Sequence, residues 1–206
     1  MTDCTYLHNL RRRVTSTSAA GPDQPPGGPT GQLPSQPTGQ PPEGIGLAAF
    51  NALPAERARG LLLGCCHADR WAAKVTAGRP YRALGALLDR AGEELTDGDV
   101  SEALAGHPRI GQAPAAGQNA WSRREQSGVG DADEAVLTEL AAGNRAYEER
   151  FGHIYLVCAS GRDAGELLSI LKDRLRNGPG AEGHVVRGEL RKINDLRLTA
   201  LIGPAR

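Results

Sequence analysis

The sequence has no excess of either charge and no long apolar run, and each shortage excludes a class of protein. Lys and Arg total 24 and Asp and Glu total 24, so no overall field attracts nucleic acid or acidic membranes. No stretch approaches the roughly 20 apolar residues that cross a bilayer. We therefore expect a protein that binds neither nucleic acid nor membranes.

Cysteines are few, and their spacing fits neither a metal site nor a redox pair. They are Cys4, Cys65, Cys66 and Cys158, without a CxxC pattern, and adjacent cysteines do not easily bridge to each other. The patterns HExxH, GxGxxG, GxSxG and the Walker loop are also missing. Residues 14–21 are too polar to continue Arg11–Arg13 into a signal peptide. We expect a cytoplasmic protein with cofactor-free acid and base chemistry and no metal.

Proline and glycine are concentrated near the N-terminus. Eight of the 14 prolines fall between Pro22 and Pro42, among Gly, Gln, Ser and Thr, with almost nothing apolar to bury. From Ile45 onward Ala, Leu, Arg and Glu become common and apolar residues recur at helical spacing. The pattern predicts a disordered low-complexity tail over 1–44 and a folded domain over 45–206.

The folded part reads as a succession of amphipathic helices. Apolar spacing and helix-end residues predict helices near 54–65, 71–75, 80–91, 97–105, 131–150, from 163 onward, and 182–202. Asp163 with Glu166 three positions later predicts a capping box, and Asn177-Gly178-Pro179 ends that helix. The apolar run 154–158 fits either a strand or a buried extended stretch. We expect an all-α fold in a single compact multi-helix domain.

One histidine and one polar cluster are candidates for chemistry. His107 follows a predicted helix, and Pro108 holds it away from the α region, so its imidazole is presented at the helix exit; a plain surface or packing role remains open. Ser122 and Glu125 have the spacing of a capping box, which by itself accounts for both. Capping and catalysis can coexist, because a carboxylate flanked by Arg123 and Arg124 in a first helical turn is expected to be ionised and able to orient a substrate.

Arg162 and Asn144 are weaker candidates. Arg162 lies between the apolar run and the next helix, where its guanidinium could hold a carboxylate or a ureido oxygen. Asn144 is the polar member of an apolar helical stripe, and satisfying nearby backbone groups would explain it. His67 and His184 are read as a helix end and a surface residue, with no metal assigned to either.

The folded part contains several spaced motifs, which are in chain order His107-Pro-Arg-Ile-Gly, Trp121-Ser-x-x-Glu-Gln126, Asn144-x-x-Tyr-Glu-x-x-Phe-Gly152, Ala159-x-Gly-Arg162 and Ile193-x-x-Leu-Arg-Leu198. Together they resemble one family, the decarboxylases of 2-oxo-4-hydroxy-4-carboxy-5-ureidoimidazoline (OHCU), across essentially all of 45–206. Upstream, Phe50-Asn51, Cys65-Cys66, Trp71-Ala72 and Arg79-Pro80-Tyr81 are similar too. Two positions depart from the family, Asp163 in place of a small hydroxyl residue and His153 in place of an aromatic, and neither is a proposed catalytic residue.

The resemblance implies a reaction and a set of site residues. The reaction is cofactor-free decarboxylation of OHCU to (S)-allantoin in urate degradation, with His107 as general acid or base, assisted by Glu125 and with Arg162 at the polar edge of the substrate. The implied substrate contacts are Pro108, Ser122, Arg123, Arg124, Gln126, His153, Ile154, Tyr155, Leu156 and Val157.

The resemblance also implies a homodimer that takes a small-molecule substrate, with a possible functional association with uricase and hydroxyisourate hydrolase. Two alternatives stay open on the sequence. One is a related lyase acting on another ureido or imidazoline carboxylate. The other is a helical interaction module without activity, in which the proline-rich tail binds a partner.

Overall fold

The computed structural model describes residues 44–111, 121, 125, 127 and 132–203. Within these ranges eight helices are complete: α1 (Leu47–Ala52), α2 (Ala55–Cys65), α3 (Asp69–Ala77), α4 (Leu84–Glu93), α5 (Asp97–Ala105), α6 (Glu134–Phe151), α7 (Ala164–Arg174) and α8 (Pro179–Ile202). No strand occurs in the described ranges, so the predicted all-α class is confirmed. The predicted tail over 1–44 lies outside the described residues except for Gly44.

Local sequence signals account for the beginnings of several helices. Thr96 begins α5 and Asp163 begins α7, each with a capping box in which side chain and backbone exchange hydrogen bonds. The predicted helix over 182–202 begins earlier, at Pro179, because a proline at the first helical position loses no hydrogen bond. The helix predicted to start near Pro80 starts at Leu84 instead. The short helix α1 was not predicted, since only Phe50 is buried in it.

The helices build two hydrophobic clusters. The first collects buried side chains of α1 to α5 together with α8, around Trp71, Leu87 and Leu190. The second is formed by α6 and α7 around Leu140 and Leu171, and Ile110 joins it from the loop after α5. The described helices therefore pack as two groups, one around each cluster.

Residues 154–159 connect α6 to α7 and lie between the two clusters. They form neither a helix nor a strand. Leu156 and Cys158 pack in the first cluster, whereas Tyr155, Val157 and Ala159 pack in the second. Side chains that alternate between two sides have the period of a β-strand. The extended alternative for this run is the one observed, without a sheet.

The longest helix, α8, contacts helices of both hydrophobic clusters. It has 24 residues, and a helix of that length extends about 36 Å. Glu182 near its beginning contacts Tyr147 and Arg174, and Arg197 near its end contacts Cys65. Among the described helices, α8 included, none is both long and apolar enough to cross a membrane.

Candidate active site

The loop that carries His107 is tied to two helices. It leaves α5 with a backbone bond from His107 to the Leu104 carbonyl, 3.2 Å long. On the other side, Asn144 Nδ2 in α6 donates to the Ile110 carbonyl at 2.9 Å. Asn144 therefore satisfies a backbone group, as predicted from the sequence, but this group belongs to Ile110, which is distant in the sequence.

Arg109 adds a second tie between this loop and α6. Its guanidinium donates to both carboxylate oxygens of Glu148, at 2.5 and 2.8 Å. Asn144 and Glu148 lie four positions apart and share a helix face, so one stripe of α6 holds the loop. The motif that begins at Asn144 therefore supports the motif that begins at His107.

His107 is held as a neutral imidazole. Its Nδ1 lies 2.8 Å from the Ala103 carbonyl, and because a carbonyl only accepts, Nδ1 carries the proton. Burial and the positive charge of Arg197 lower the pKa of His107 from 6.5 to about 4. Its Nε2 is buried and has no hydrogen-bond partner among the described residues. An unprotonated nitrogen is thus presented with its lone pair unused.

This nitrogen belongs to a small cleft, which we call the histidine cleft. One wall comes from the loop after α5, another from the segment 154–159, and α8 contributes one side chain. The lining residues are His107, Pro108, Ile110, Glu125, Tyr155, Leu156, Val157, Ala159 and Ile193. An apolar cleft with a few convergent polar groups is the usual form of a small-molecule site.

Glu125 is paired with Arg197 of α8. Arg197 donates from Nε to one carboxylate oxygen at 2.6 Å and from Nη2 to the other at 2.7 Å. Its remaining nitrogen, Nη1, donates to the Cys65 carbonyl at 2.9 Å. Two parallel bonds fix both the position and the plane of the carboxylate. The pair carries no net charge, so it presents an oriented carboxylate without repelling an anion strongly.

A second depression shares Glu125 with the histidine cleft, and we call it the adjoining groove. It is lined by Trp121, Glu125, Ser160, Leu196, Arg197, Thr199 and Ala200. Leu196 is 48% exposed there, unlike the other large apolar side chains in the described ranges. Glu125 therefore stands where the histidine cleft meets a more apolar surface.

The structure brings together only part of the predicted site. His107, Pro108, Glu125, Tyr155, Leu156 and Val157 all line the histidine cleft. His153 instead packs its ring against Tyr147 and Phe151. Ile154 packs against the first cluster.

Arg162 lies at the turn before α7, where its backbone N–H donates to the Ala159 carbonyl, and it belongs to neither lining. Four further predicted contacts, Ser122, Arg123, Arg124 and Gln126, lie outside the described residues.

Arg197 is the main site residue that sequence reasoning missed. It is 3% exposed and stands between Leu196 and Leu198 near the end of α8. A guanidinium is seldom buried without a charged partner, so an arginine beside the apolar stripe of a helix was the available signal. Ile110, Ala159 and Ile193 also line the cleft without having been predicted as contacts.

Comparison with known proteins gives one consistent family. The family described as OHCU decarboxylase matches residues 51–199. The uric acid degradation bifunctional protein TTL of Arabidopsis thaliana is 32% identical over 145 residues, covering 66% of this chain and 45% of that protein. The OHCU decarboxylase of Bos taurus is 33% identical over 143 residues, covering 64% of this chain and 82% of its own.

A solved structure agrees in fold. The crystal structure of an OHCU decarboxylase in the presence of (S)-allantoin superposes with a TM-score of 0.60 at 28% identity, covering 69% of this chain and 96% of that one. The chain spans about half the length of several curated relatives that it matches, from 45% to 48%.

Proposed function

This chain belongs to the OHCU decarboxylase family, and from that premise we propose that it is a carboxy-lyase that converts OHCU to (S)-allantoin in urate degradation. The observation that carries the proposal is Nε2 of His107, which is buried, unprotonated and without a partner among the described residues. A positioned base of this kind is what cofactor-free proton transfer requires.

The chemistry needs little more than placement. The carbon that loses CO₂ bears a hydroxyl group and adjoins a C=N bond. When the bond to the carboxylate breaks, its electron pair forms a C=C bond to the neighbouring ring carbon, the π pair of the C=N bond moves to the nitrogen, and the nitrogen takes a proton from water. His107 Nε2 then accepts the hydroxyl proton, the C–O bond becomes C=O, and the electron pair of the C=C bond takes a proton from His107 at the neighbouring carbon. Delivery from one side fixes the (S) configuration, because the cleft holds the substrate in one orientation.

Glu125 and Arg197 act as one unit in this proposal. The two hydrogen bonds from Arg197 hold the Glu125 carboxylate in one orientation, so Glu125 accepts hydrogen bonds from the hydroxyl or N–H groups of the substrate. Pro108, Tyr155, Leu156 and Val157 enclose the ring. For the other candidate contacts the support is the family resemblance alone, and they are Ser122, Arg123, Arg124, Gln126, His153, Ile154 and Arg162.

The test is the optical activity of the allantoin that forms. Urate, uricase and hydroxyisourate hydrolase generate the substrate in situ, and circular dichroism follows (S)-allantoin with and without the protein. We expect rapid formation of the (S) product by the wild type and a loss of about 10²- to 10⁴-fold in rate for His107→Ala, the usual effect of removing a positioned acid or base.

A matched control comes from His184 on α8. Its Nδ1 bonds to the Gly180 carbonyl at 2.8 Å, the same four-residue pattern as in His107, but the side chain is exposed. His184→Ala should keep full activity. Slow racemic product that the wild-type protein does not accelerate would refute the proposed reaction, and equal rates for the wild type and His107→Ala would refute the role of His107.

The proposal extends to assembly and location. A homodimer is supported by the family resemblance, and Leu196, which is 48% exposed in the adjoining groove, is its candidate contact residue. A cytoplasmic location is supported by Cys65, Cys66 and Cys158, which are free thiols. An association with uricase and hydroxyisourate hydrolase is supported by the bifunctional uric acid degradation protein among the relatives.

A further inference from the structure

The segment 154–159 is an extended, mostly buried stretch of chain without a neighbouring strand among the described residues to bond its backbone. It is buried along Tyr155 to Ala159, and buried backbone groups need hydrogen-bond partners. A strand finds them on its neighbour in a sheet, but no strand lies beside this segment in the described ranges. Ala159 has a backbone partner, because its carbonyl accepts from the Arg162 N–H. The partners of Leu156 and Cys158 are side chains.

Two charged side chains provide such partners. Arg174, at the end of α7, donates from Nη1 to the Leu156 carbonyl at 2.6 Å. Glu189, in the middle of α8, accepts from the Cys158 N–H through Oε2 at 2.8 Å. In an extended chain the carbonyl of one residue and the N–H two positions later point to the same side. Arg174 and Glu189 thus bond the pair of groups that a single residue of a neighbouring parallel strand would bond.

Both side chains are buried and have further charged partners. Arg174 is 5% exposed and pairs with Glu182 at 2.5 Å. Glu189 is 8% exposed and pairs through its other oxygen with Lys192 at 2.6 Å. Burial of these charges is costly, yet here each is used to hold one segment. That segment supplies four of the residues that line the histidine cleft.

We propose that Arg174 and Glu189 are positioning residues, which replace the missing strand partner and so fix the wall of the histidine cleft formed by residues 155–159. The inference rests on the proposed function for its effect on catalysis, but the holding of the segment can be measured without turnover. Neither side chain lines the cleft, so both act through the segment rather than on the substrate.

Glu189 offers the cleaner test. Removing Arg174 would leave the fully buried Glu182 without its cation, which threatens folding itself. Glu189→Met keeps the length of the side chain but leaves the Cys158 N–H without an acceptor. Glu189→Gln keeps an acceptor oxygen in the same place and removes only the charge. Lys192→Met removes the partner cation, which is 58% exposed, and leaves the bond to Cys158 intact.

The kinetic readout is the separation of KM from kcat for OHCU. Because the segment holds the substrate but does not carry His107, we expect Glu189→Met to raise KM roughly 10-fold, as loss of a hydrogen bond to a charged group would do, with kcat little changed. Glu189→Gln and Lys192→Met should stay close to the wild type. An unchanged KM in Glu189→Met, or an equal rise in Glu189→Gln, would overturn the proposal.

Hydrogen exchange decides whether the segment is held, whatever the activity. The Cys158 amide should exchange slowly in the wild type and in Glu189→Gln, and roughly 10-fold faster or more in Glu189→Met. Equal exchange in all three would overturn the proposal even if the enzyme is active. If the wild type does not decarboxylate OHCU but the amide responds as expected, the proposed function fails and the positioning role stands. Glu189→Ser, which leaves room for a water at the amide, replaces Glu189→Met if that variant does not fold.

Discussion

Lowering the pH from 7 to 5 is expected to destabilise the protein through His107. In the folded state the pKa of this imidazole is about 4, because the ring is buried near Arg197. In the unfolded chain it returns to its ordinary value near 6.5. Between these two values the unfolded chain binds a proton that the folded protein does not, so stability falls as the pH falls.

The magnitude follows from the width of that window. Each pH unit between the two pKa values is worth about 1.4 kcal/mol. Acidification to pH 5 therefore removes about 2 kcal/mol of unfolding free energy through this one group, and acidification to pH 4 about 3 kcal/mol. Above pH 6.5 the contribution is complete and constant. A loss of 2 kcal/mol is a considerable part of the stability of an ordinary domain.

Urea denaturation at pH 7, 6 and 5 measures the effect in the wild type and in His107→Gln, which cannot titrate there. Other groups titrate in both proteins, so the quantity of interest is the difference between the two pH dependences. The wild type should lose about 2 kcal/mol more than His107→Gln between pH 7 and pH 5. His184→Gln serves as the control and should follow the wild type. Parallel curves for the wild type and His107→Gln would refute the neutral, buried state of His107.

Two further predictions concern Arg197 and Leu196. Arg197→Met should reduce activity severely and lower the unfolding free energy by about 3–5 kcal/mol, because the Glu125 carboxylate is left partly buried without its cation. Steady-state assays measure the activity and urea denaturation measures the stability. Unchanged activity would contradict the role of the pair. In sedimentation equilibrium we expect the wild type to be a dimer and Leu196→Glu to be a monomer, because the substitution places a charge in an apolar contact. A monomeric wild type would contradict the proposed dimer.

The helices that could be predicted from the sequence are those whose apolar spacing and helix-end residues lie within a few positions of one another. The α5 helix begins and ends where predicted, since the Thr96 capping box and the run from Asp97 act within a few residues. The α1 helix escaped because six residues with a single buried side chain show no periodicity. The start of α8 at Pro179 shows that one proline can separate two helices and also begin the second.

The candidate site was predictable only in part, for a physical reason. His107 stood out because Pro108 restricts its backbone, and the resemblance to a family added Glu125 and the segment around Tyr155. Arg197 lies 72 positions from Glu125 in the chain, and no local rule indicates which buried carboxylate a buried arginine meets. The same holds for Glu189, whose partner is a backbone amide on a segment without regular structure.

The alternation along the segment 154–159 restricts the spacing of the chain between α6 and α7. If the segment shifted by one residue, the side chains of Leu156 and Val157 would exchange their clusters, and so would every other pair. Connections between helices usually tolerate inserted or deleted residues, but here a single one would place each side chain in a space shaped for its neighbour. Variation can therefore alter the size of side chains in this connection far more readily than their number.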